Sequence, residues 1–222
     1  MKPELKITAD GSHTLFVPGL KEHYHSTFGA IRESQHVFIE SGFHRAAADF
    51  DFIQLLEIGF GTGLNALLTW MEAERMLRKV NYKALEPYPL DEEVWSELNY
   101  PDCFCTLDYS EIFSRLHETD WERDEQLSRF FSIYKSHSRL EDYQPEPDKY
   151  NLVYFDAFGP DVQPELWTED KFRKLYVSMK NGGILVTYSV KGSVRRALKS
   201  CGFAVEKIPG PAGKREITRA IR

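Results

Sequence analysis

The sequence contains few cysteines and no long apolar segment, and these absences exclude several classes of protein. Its 222 residues include three cysteines, Cys103, Cys105 and Cys201. An odd number of cysteines, without a histidine or cysteine cluster at ligand spacing, favours buried reduced thiols over disulfides or a metal site. No apolar run reaches the roughly 18 residues that a membrane-spanning helix requires, and no leader or lipidation motif is present. We therefore expect a soluble, cytoplasmic protein that holds no metal.

An overall basic character is also missing, but the charge is unevenly distributed. The formal net charge is −6, which argues against a generally basic nucleic-acid-binding protein. Residues 180–222, however, contain ten Lys or Arg residues and only two glutamates. A basic end on an acidic chain is expected where one side of a protein meets a polyanion, although a solvated basic surface gives the same composition.

A glycine-rich segment is the most informative feature, and it lacks one glycine of a dinucleotide-binding fingerprint. The apolar run Leu55–Ile58 is followed by Gly-Phe-Gly-Thr-Gly at 59–63 and by an amphipathic pattern typical of a helix. The third glycine of a dinucleotide motif would fall three residues after Gly61, where Leu64 stands. The segment therefore predicts a strand, a tight ligand-binding loop and a helix, but not a site for NAD or FAD.

Alternating strand and helix patterns predict an α/β fold with a mostly parallel sheet. The division we expect is an N-terminal extension over 1–50, with a short strand and a helix at 30–39, and a main domain over 51–222. The charged segment 117–129 is interpreted as a surface insertion. Two short C-terminal strands predict an antiparallel edge. A helix of the main domain is expected near 164–179. Its strands are expected near 80–86, 130–134, 152–155, 184–187, 203–207 and 215–220.

The glycine loop, Glu57 before it and Glu86 after the second strand together resemble the class I S-adenosylmethionine-dependent methyltransferases. That resemblance implies a Rossmann-like, seven-stranded sheet with an antiparallel C-terminal strand. It also implies S-adenosyl-L-methionine as the cofactor, with Glu86 on the ribose hydroxyls. The full set of cofactor-binding residues implied is Tyr24, Glu57, Gly59, Gly61, Gly63, Asn65, Glu86 and Asp156.

Four segments resemble one family more specifically. They are Tyr24-His25-Ser26, the loop 59–65, the Asp156-Ala-Phe-Gly-Pro160 element with Trp167, and the basic segment 192–196 with 213–216. Together they are similar to the methyltransferase domain of the bifunctional enzyme that completes 5-methylaminomethyl-2-thiouridine in tRNA. The resemblance implies methylation of 5-aminomethyl-(2-thio)uridine at wobble position 34. The flavin-dependent domain of the bifunctional members has no counterpart here, so the resemblance implies the methylation step alone.

Asp156 is the residue we expect to act on the acceptor amine. It lies at the carboxyl end of a central strand, where ligands of open α/β sheets bind, and it could compensate the charge that develops on nitrogen. A carboxylate also favours the protonated, unreactive ammonium, so water is an alternative proton acceptor. Asp156 could instead cap a turn. Phe158 and Trp167 are predicted to stack on the wobble base or cover the cofactor, although aromatic residues near a sheet end are as often part of the core.

A basic set is predicted to contact phosphates of the tRNA anticodon stem-loop. Its members are Lys191, Arg195, Arg196, Lys214 and Arg215. One departure from the family concerns adenine, because His137 stands near the position where members tend to carry an acid. Two alternatives stay open: a small-molecule amine N-methyltransferase or polyamine-synthase-like enzyme on the same fold, and a binding module without chemistry.

Overall fold

An eight-stranded sheet with helices on both faces forms the body of the protein in this computed structural model, which describes residues 2–104 and 108–222. A small three-stranded antiparallel sheet precedes it. The strands are β1 (Glu4–Ile7), β2 (His13–Val17), β3 (Glu22–His23), β4 (Phe52–Ile58), β5 (Lys79–Leu85), β6 (Asp124–Gln126), β7 (Phe131–Ser136), β8 (Tyr150–Phe155), β9 (Met179–Thr187), β10 (Ala204–Pro209) and β11 (Glu216–Ile221).

The helices alternate with these strands along most of the chain. They are α1 (Ala30–Ser34), a π-helical segment (Gln35–Phe43), α2 (His44–Asp49), α3 (Leu64–Met76), α4 (Glu92–Trp95), α5 (Ser110–Glu118), α6 (Glu169–Ser178) and α7 (Gly192–Ser200), with single 3₁₀ turns at Pro101–Cys103 and Pro164–Leu166. None of the helices within the described ranges has the length and apolar character needed to pass through a bilayer.

The strand order of the large sheet is β10-β11-β9-β8-β4-β5-β7-β6. Strands β9, β8, β4, β5 and β7 are parallel, whereas β11 is antiparallel to both of its neighbours. Parallel strands covered by helices are buried on both faces, and the fully buried β8 shows this pattern. The predicted α/β class and antiparallel C-terminal strand are confirmed.

The predicted number of seven strands is wrong because the charged segment 117–129 contributes an eighth. Strand β6 pairs antiparallel with β7 at the sheet edge, where one side of a strand faces solvent and tolerates charge. The interpretation of this segment as purely surface also needs correction. Leu127 is buried, and Trp121 packs edge-on against Phe60 of the glycine loop.

Residues 30–49 cover one face of the large sheet. Phe38 is buried against Tyr154 of β8. Gly42 lies so close to the sheet that a Cβ there would come within 2.9 Å of Val186 in β9. The helix expected at 30–39 therefore continues to Asp49 through the π-helical segment. The boundary between extension and main domain at residue 50 stays a prediction.

The expectation of buried cysteines holds for one of the three. Cys201 is buried, and its Sγ lies 3.2 Å from the Glu169 carbonyl oxygen. Cys103 is partly exposed, and its Sγ lies 3.3 Å from the Asn99 carbonyl oxygen. Cys105 lies outside the described residues.

Candidate active site

A cavity of about 500 Å³ opens at the carboxyl ends of β4, β5 and β8. Parallel strands end at the same edge, so the loops that follow them converge there. The glycine loop after β4, Glu86 after β5 and Asp156 after β8 all line this cavity. Its opposite wall is formed by residues 22–28 of the N-terminal region.

The glycine loop needs glycine because its backbone is both left-handed and closely packed. Gly59 has φ 92° and Gly63 has φ 74°, in the region that favours glycine. A Cβ at Gly59 would lie 2.8 Å from the Asp156 carbonyl oxygen, and one at Gly63 would lie 2.8 Å from His117 Nε2. Gly61 also has a positive φ and lies under the Tyr24 ring. The three predicted glycines thus form a tight cradle directly before α3 begins at Leu64.

Glu86 is held by the backbone at the floor of the cavity. Its Oε2 accepts a hydrogen bond from the Gly61 N–H at 3.0 Å, and its Oε1 accepts one from the Tyr88 N–H at 2.8 Å. Burial raises the pKa of this carboxyl, while the backbone donors pull it down. These bonds fix the carboxylate at the end of the second parallel strand, where the family resemblance predicts an acceptor of ribose hydroxyls.

Asn65, in the first turn of α3, connects two acids beneath the cavity. Its Nδ2 donates to Glu57 Oε1 at 3.0 Å and to Asp156 Oδ2 at 2.8 Å. Glu57 is fully buried, and burial raises its pKa well above the ordinary value, against the effect of Tyr82 and Asn65. Glu57 does not line the cavity, so its predicted direct contact with the cofactor is corrected: it holds Asn65, which reaches the cavity together with Asp156.

Asp156 is the third acid at this site whose pKa is raised by burial. Burial is the largest cause that raises its pKa, and the negative charge of Glu33 is the next. The Asn65 amide and Lys214 oppose the shift, and the resulting pKa is about 7. A carboxyl with this pKa exchanges a proton near neutral pH, unlike an ordinary aspartate. The backbone N–H of Asp156 donates to the Ile58 carbonyl at 3.0 Å, which ties its position to the end of β4.

Aromatic residues surround Asp156 on the outer side. Tyr24 and Phe158 meet edge to face, with ring centroids 5.1 Å apart, and both line the cavity. Tyr188, after β9, donates its hydroxyl to the Ala157 carbonyl at 2.8 Å. This ring was not singled out by the sequence, because a single tyrosine after a strand carries no signal of its own.

An ion pair between distant parts of the chain completes this wall. Lys214 Nζ pairs with Glu33 Oε1, and it lies 4.3 Å from the centroid of the Tyr188 ring. The other oxygen of Glu33 accepts the Ser26 N–H at 2.8 Å. Glu33 is almost fully buried. The pair therefore joins the N-terminal wall to the loop between β10 and β11.

The structure separates the predicted substrate residues. Trp167 is buried at 5% exposure among Phe155 and Phe172, and its Nε1 donates to the Phe158 carbonyl at 2.8 Å. It lies outside the cavity wall, so the expected stacking of Trp167 on a substrate base is corrected: this side chain supports Phe158 from behind.

The predicted basic set is also divided. Lys214 alone of its members lines the cavity. Lys191 pairs with Asp161 and Arg195 pairs with Glu216, whereas Arg196 and Arg215 are exposed. His137 is exposed as well, and its backbone N–H donates to Glu122 at 2.7 Å.

His117 and Lys135 support the glycine loop, and sequence reasoning missed both. His117 Nε2 lies 3.2 Å from the Thr62 carbonyl oxygen, and its ring stacks on Trp95 with centroids 4.7 Å apart. Lys135 is 1% exposed and donates to the carbonyls of Leu116 and His117 at the end of α5. Burial lowers the pKa of Lys135 to about 8. A signal existed, since Lys135 follows the inward alternation of Phe131 and Ile133.

The described residues fit the predicted cofactor. The glycine cradle leaves backbone next to the cavity, Glu86 offers a fixed carboxylate, and Asn65 carries a further acceptor. Asn65 Oδ1 is buried and receives no hydrogen bond from the described part of the chain. A donor such as the ammonium group of a methionine moiety would satisfy it.

Comparison with known proteins agrees with the predicted cofactor and fold. A family model described as S-adenosyl-L-methionine-dependent methyltransferase matches residues 128–222. The tRNA 5-methylaminomethyl-2-thiouridine biosynthesis bifunctional protein MnmC of Paracidovorax citrulli is 32% identical over 219 residues, covering 93% of this chain and 34% of that protein. The MnmC of Cupriavidus metallidurans is 28% identical, with 96% and 33% covered. The chain thus spans about a third of the length of these curated relatives.

Solved structures extend the comparison to the fold. The crystal structure of MnmC2 from Aquifex aeolicus matches with a TM-score of 0.80 and 29% identity, over 99% of this chain and 70% of that one. Spermidine synthase from Thermotoga maritima matches with a TM-score of 0.56 at 11% identity, over 99% and 71% of the two chains, which concerns the fold alone. With its glycine cradle, Glu86 and Asp156, the chain therefore belongs to the class I S-adenosyl-L-methionine-dependent methyltransferases, in the family that includes the MnmC proteins and MnmC2.

Proposed function

We propose that this chain transfers a methyl group from S-adenosyl-L-methionine to the amine of 5-aminomethyl-(2-thio)uridine at wobble position 34 of tRNA, giving 5-methylaminomethyl-(2-thio)uridine. The observation that carries the proposal is Asp156, a carboxyl with a pKa near 7 that lies between the cofactor cradle and an aromatic wall. The names of the relatives, which specify 5-methylaminomethyl-2-thiouridine biosynthesis, support this choice of acceptor.

Cofactor binding falls to the residues at the strand ends. Glu86 would accept the ribose hydroxyls, Asn65 Oδ1 the ammonium group, and the backbone at 59–63 would line the nucleoside moiety. When bound, the cofactor supplies a methyl group on a positively charged sulfur. Tyr24, which packs on Gly61, would cover this part of the cavity and exclude water.

Asp156 would hold and deprotonate the acceptor. An aminomethyl group arrives largely as an ammonium, and its lone pair becomes available only after a proton has left. A carboxylate whose pKa is raised to about 7 accepts that proton more readily than an ordinary aspartate, which supports Asp156 over water as the proton acceptor.

A macromolecular acceptor requires a surface beyond the cavity. Arg196 and Arg215 are exposed, and we assign them to phosphates of the anticodon stem-loop. Lys191 and Arg195 are engaged with Asp161 and Glu216, so they would have to exchange partners to bind phosphate. An enzyme acting on tRNA would work in the cytoplasm.

The test is methyl transfer by the purified 222-residue chain. It is incubated with labelled cofactor and tRNA from a strain that lacks the corresponding methyltransferase, and nucleosides are then analysed by mass spectrometry. We expect aminomethyl-uridine to be converted to methylaminomethyl-uridine, with carboxymethylaminomethyl-uridine unchanged. Parallel reactions with putrescine and other small amines test the small-molecule alternative. Transfer to these amines, with tRNA left unmodified, would overturn the proposal.

A further inference from the structure

Phe28 is an exposed aromatic residue at the mouth of the active-site cavity. Its side chain is 56% exposed although it lines the cavity. A single exposed apolar residue is ordinary on a protein surface. This one differs because it lies at the entrance of a site for which one of the two predicted base-stacking residues, Trp167, is buried outside the cavity wall.

The position of the Phe28 ring is fixed by the loop between β10 and β11. A Cβ at Gly213 would come within 2.5 Å of Phe28 Cδ2, so the ring lies directly against this glycine. The backbone of Phe28 is held as well. Its N–H donates to Ser26 Oγ at 3.2 Å, and its carbonyl accepts from Arg32 at 3.4 Å. The ring is therefore an anchored surface for a flat ligand.

Three cationic residues are close to Phe28 in the chain or by contact. Lys214 and Arg215 follow Gly213 directly, and Arg32 donates to the Phe28 carbonyl. Lys214 is paired with Glu33, whereas Arg32 and Arg215 are exposed. An aromatic face with nearby cations is the combination that binds single-stranded nucleic acid, since bases stack and phosphates pair with the charges.

Phe28 lies on the same side of the cavity as Tyr188 and Lys214, which we call the acceptor side. Lys214 directly follows Gly213, on which the Phe28 ring packs. It contacts the Tyr188 ring and lowers the pKa of Asp156. The other strongly exposed aromatic of the cavity, Tyr88, belongs to the opposite side, because its N–H donates to Glu86. A ligand ring on Phe28 would therefore be the acceptor rather than the cofactor.

We propose that Phe28 is the platform on which a nucleobase of the acceptor RNA stacks, so that the reacting amine is directed at Asp156. This inference rests on the function proposed above. It makes Phe28 a specificity-determining residue: a small amine has no base to stack, whereas a tRNA acceptor does.

The experiment compares Phe28→Ala, Phe28→Leu and Phe28→Tyr with the wild-type chain in steady-state methylation of aminomethyl-uridine tRNA. Leu77→Ala is the matched control, because Leu77 is 69% exposed and lies at the far end of α3 from the glycine loop. Cofactor affinity is measured by calorimetry for every variant. We expect Phe28→Ala and Phe28→Leu to raise KM for tRNA about tenfold or more, the effect of losing one stacked base. Phe28→Tyr should restore it.

The outcomes separate this proposal from the function on which it rests. Cofactor affinity should be unchanged in all variants, and Leu77→Ala should behave as wild type. If the wild-type chain does not methylate the tRNA, the proposed function fails and the platform fails with it. If the wild type is active but Phe28→Ala keeps the wild-type KM, the function stands and the platform is wrong. A rise in KM for tRNA in Phe28→Ala that is equally present in Phe28→Tyr would also overturn stacking as the cause.

Discussion

The two sides of the active-site cavity are constructed in different ways. The cofactor side consists of a contiguous glycine loop and of Glu86, whose carboxylate is held by two backbone N–H groups. The acceptor side is assembled from residues 26–28, 33, 157–158, 188 and 214, and an ion pair between Glu33 and Lys214 joins its most distant parts. The cofactor side thus depends on local backbone geometry, whereas the acceptor side depends on tertiary contacts. Asp156, bonded to Asn65, lies where they meet.

The sharpest way to separate the two sides is Asp156→Asn. The amide still accepts the Asn65 hydrogen bond but neither takes a proton nor carries charge, so we expect turnover to fall about 100-fold or more with cofactor affinity retained. Methyl-transfer kinetics and calorimetry measure the two quantities. Asp161→Asn is the control, since Asp161 is an exposed acid in the same loop. Wild-type turnover in Asp156→Asn would give this residue a purely structural role.

The same variant should gain stability at high pH. The pKa of Asp156 is raised in the folded state, so its protonated form is favoured there, and the wild-type chain loses stability as pH rises from about 4 through about 7. Asparagine does not titrate. Thermal unfolding should therefore show a higher Tm for Asp156→Asn than for wild type at pH 8, with the difference vanishing near pH 4. A difference independent of pH would contradict the raised pKa.

Glu86→Ala tests the cofactor side in isolation. Removing hydrogen bonds to a charged group costs about 1.5–3 kcal/mol, so we expect the affinity for S-adenosyl-L-methionine to fall roughly 10- to 100-fold. Binding of the acceptor tRNA should change little. Glu141→Ala is the control, because Glu141 lines the same cavity without touching the glycine loop. Equal losses in the two variants would assign the effect to general charge rather than to Glu86.

Arg196→Ala combined with Arg215→Ala probes how far the acceptor side extends beyond the cavity. If both side chains contact phosphate, the slope of log KM for tRNA against log salt should decrease by roughly one to two. Cofactor affinity should be unaffected. Arg45→Ala with Arg75→Ala is the control pair, since these arginines lie on helices away from the basic end. An unaltered salt dependence would remove Arg196 and Arg215 from the tRNA interface.

Glu33→Gln is expected to have the smallest effect. The charge of Glu33 raises the pKa of Asp156, so its removal should shift the acidic limb of the pH–rate profile, expected near pH 7 in wild type, to lower pH. Glutamine can still accept the Ser26 N–H. Glu22→Gln provides the comparison, because Glu22 lines the cavity but does not set the pKa of Asp156. If the acidic limb of the pH–rate profile does not move, the charge of Glu33 does not affect the pKa of Asp156.

The sequence by itself determined the α/β class and the antiparallel C-terminal strand, because helix and strand periodicities are local. It also determined the cofactor cradle. A Gly-x-Gly-x-Gly loop after an apolar strand indicates backbone conformations that other residues rarely adopt, and the observed φ angles at Gly59 and Gly63 agree. The position of Asp156 followed from the rule that ligands of open α/β sheets bind at the carboxyl ends of the strands, whereas that of Glu86 followed from the family resemblance.

Only the tertiary structure decided which polar and aromatic residues meet. Trp167 is buried and Phe28 is exposed, although both are large aromatic residues and residue type alone does not distinguish them. Lys214 enters the cavity because Glu33, 181 positions away, is its partner. Lys135 caps the end of α5, so a lysine in a strand becomes part of the support for the glycine loop. Contacts between distant segments depend on how the elements pack, and packing is not encoded in the period or composition of either segment.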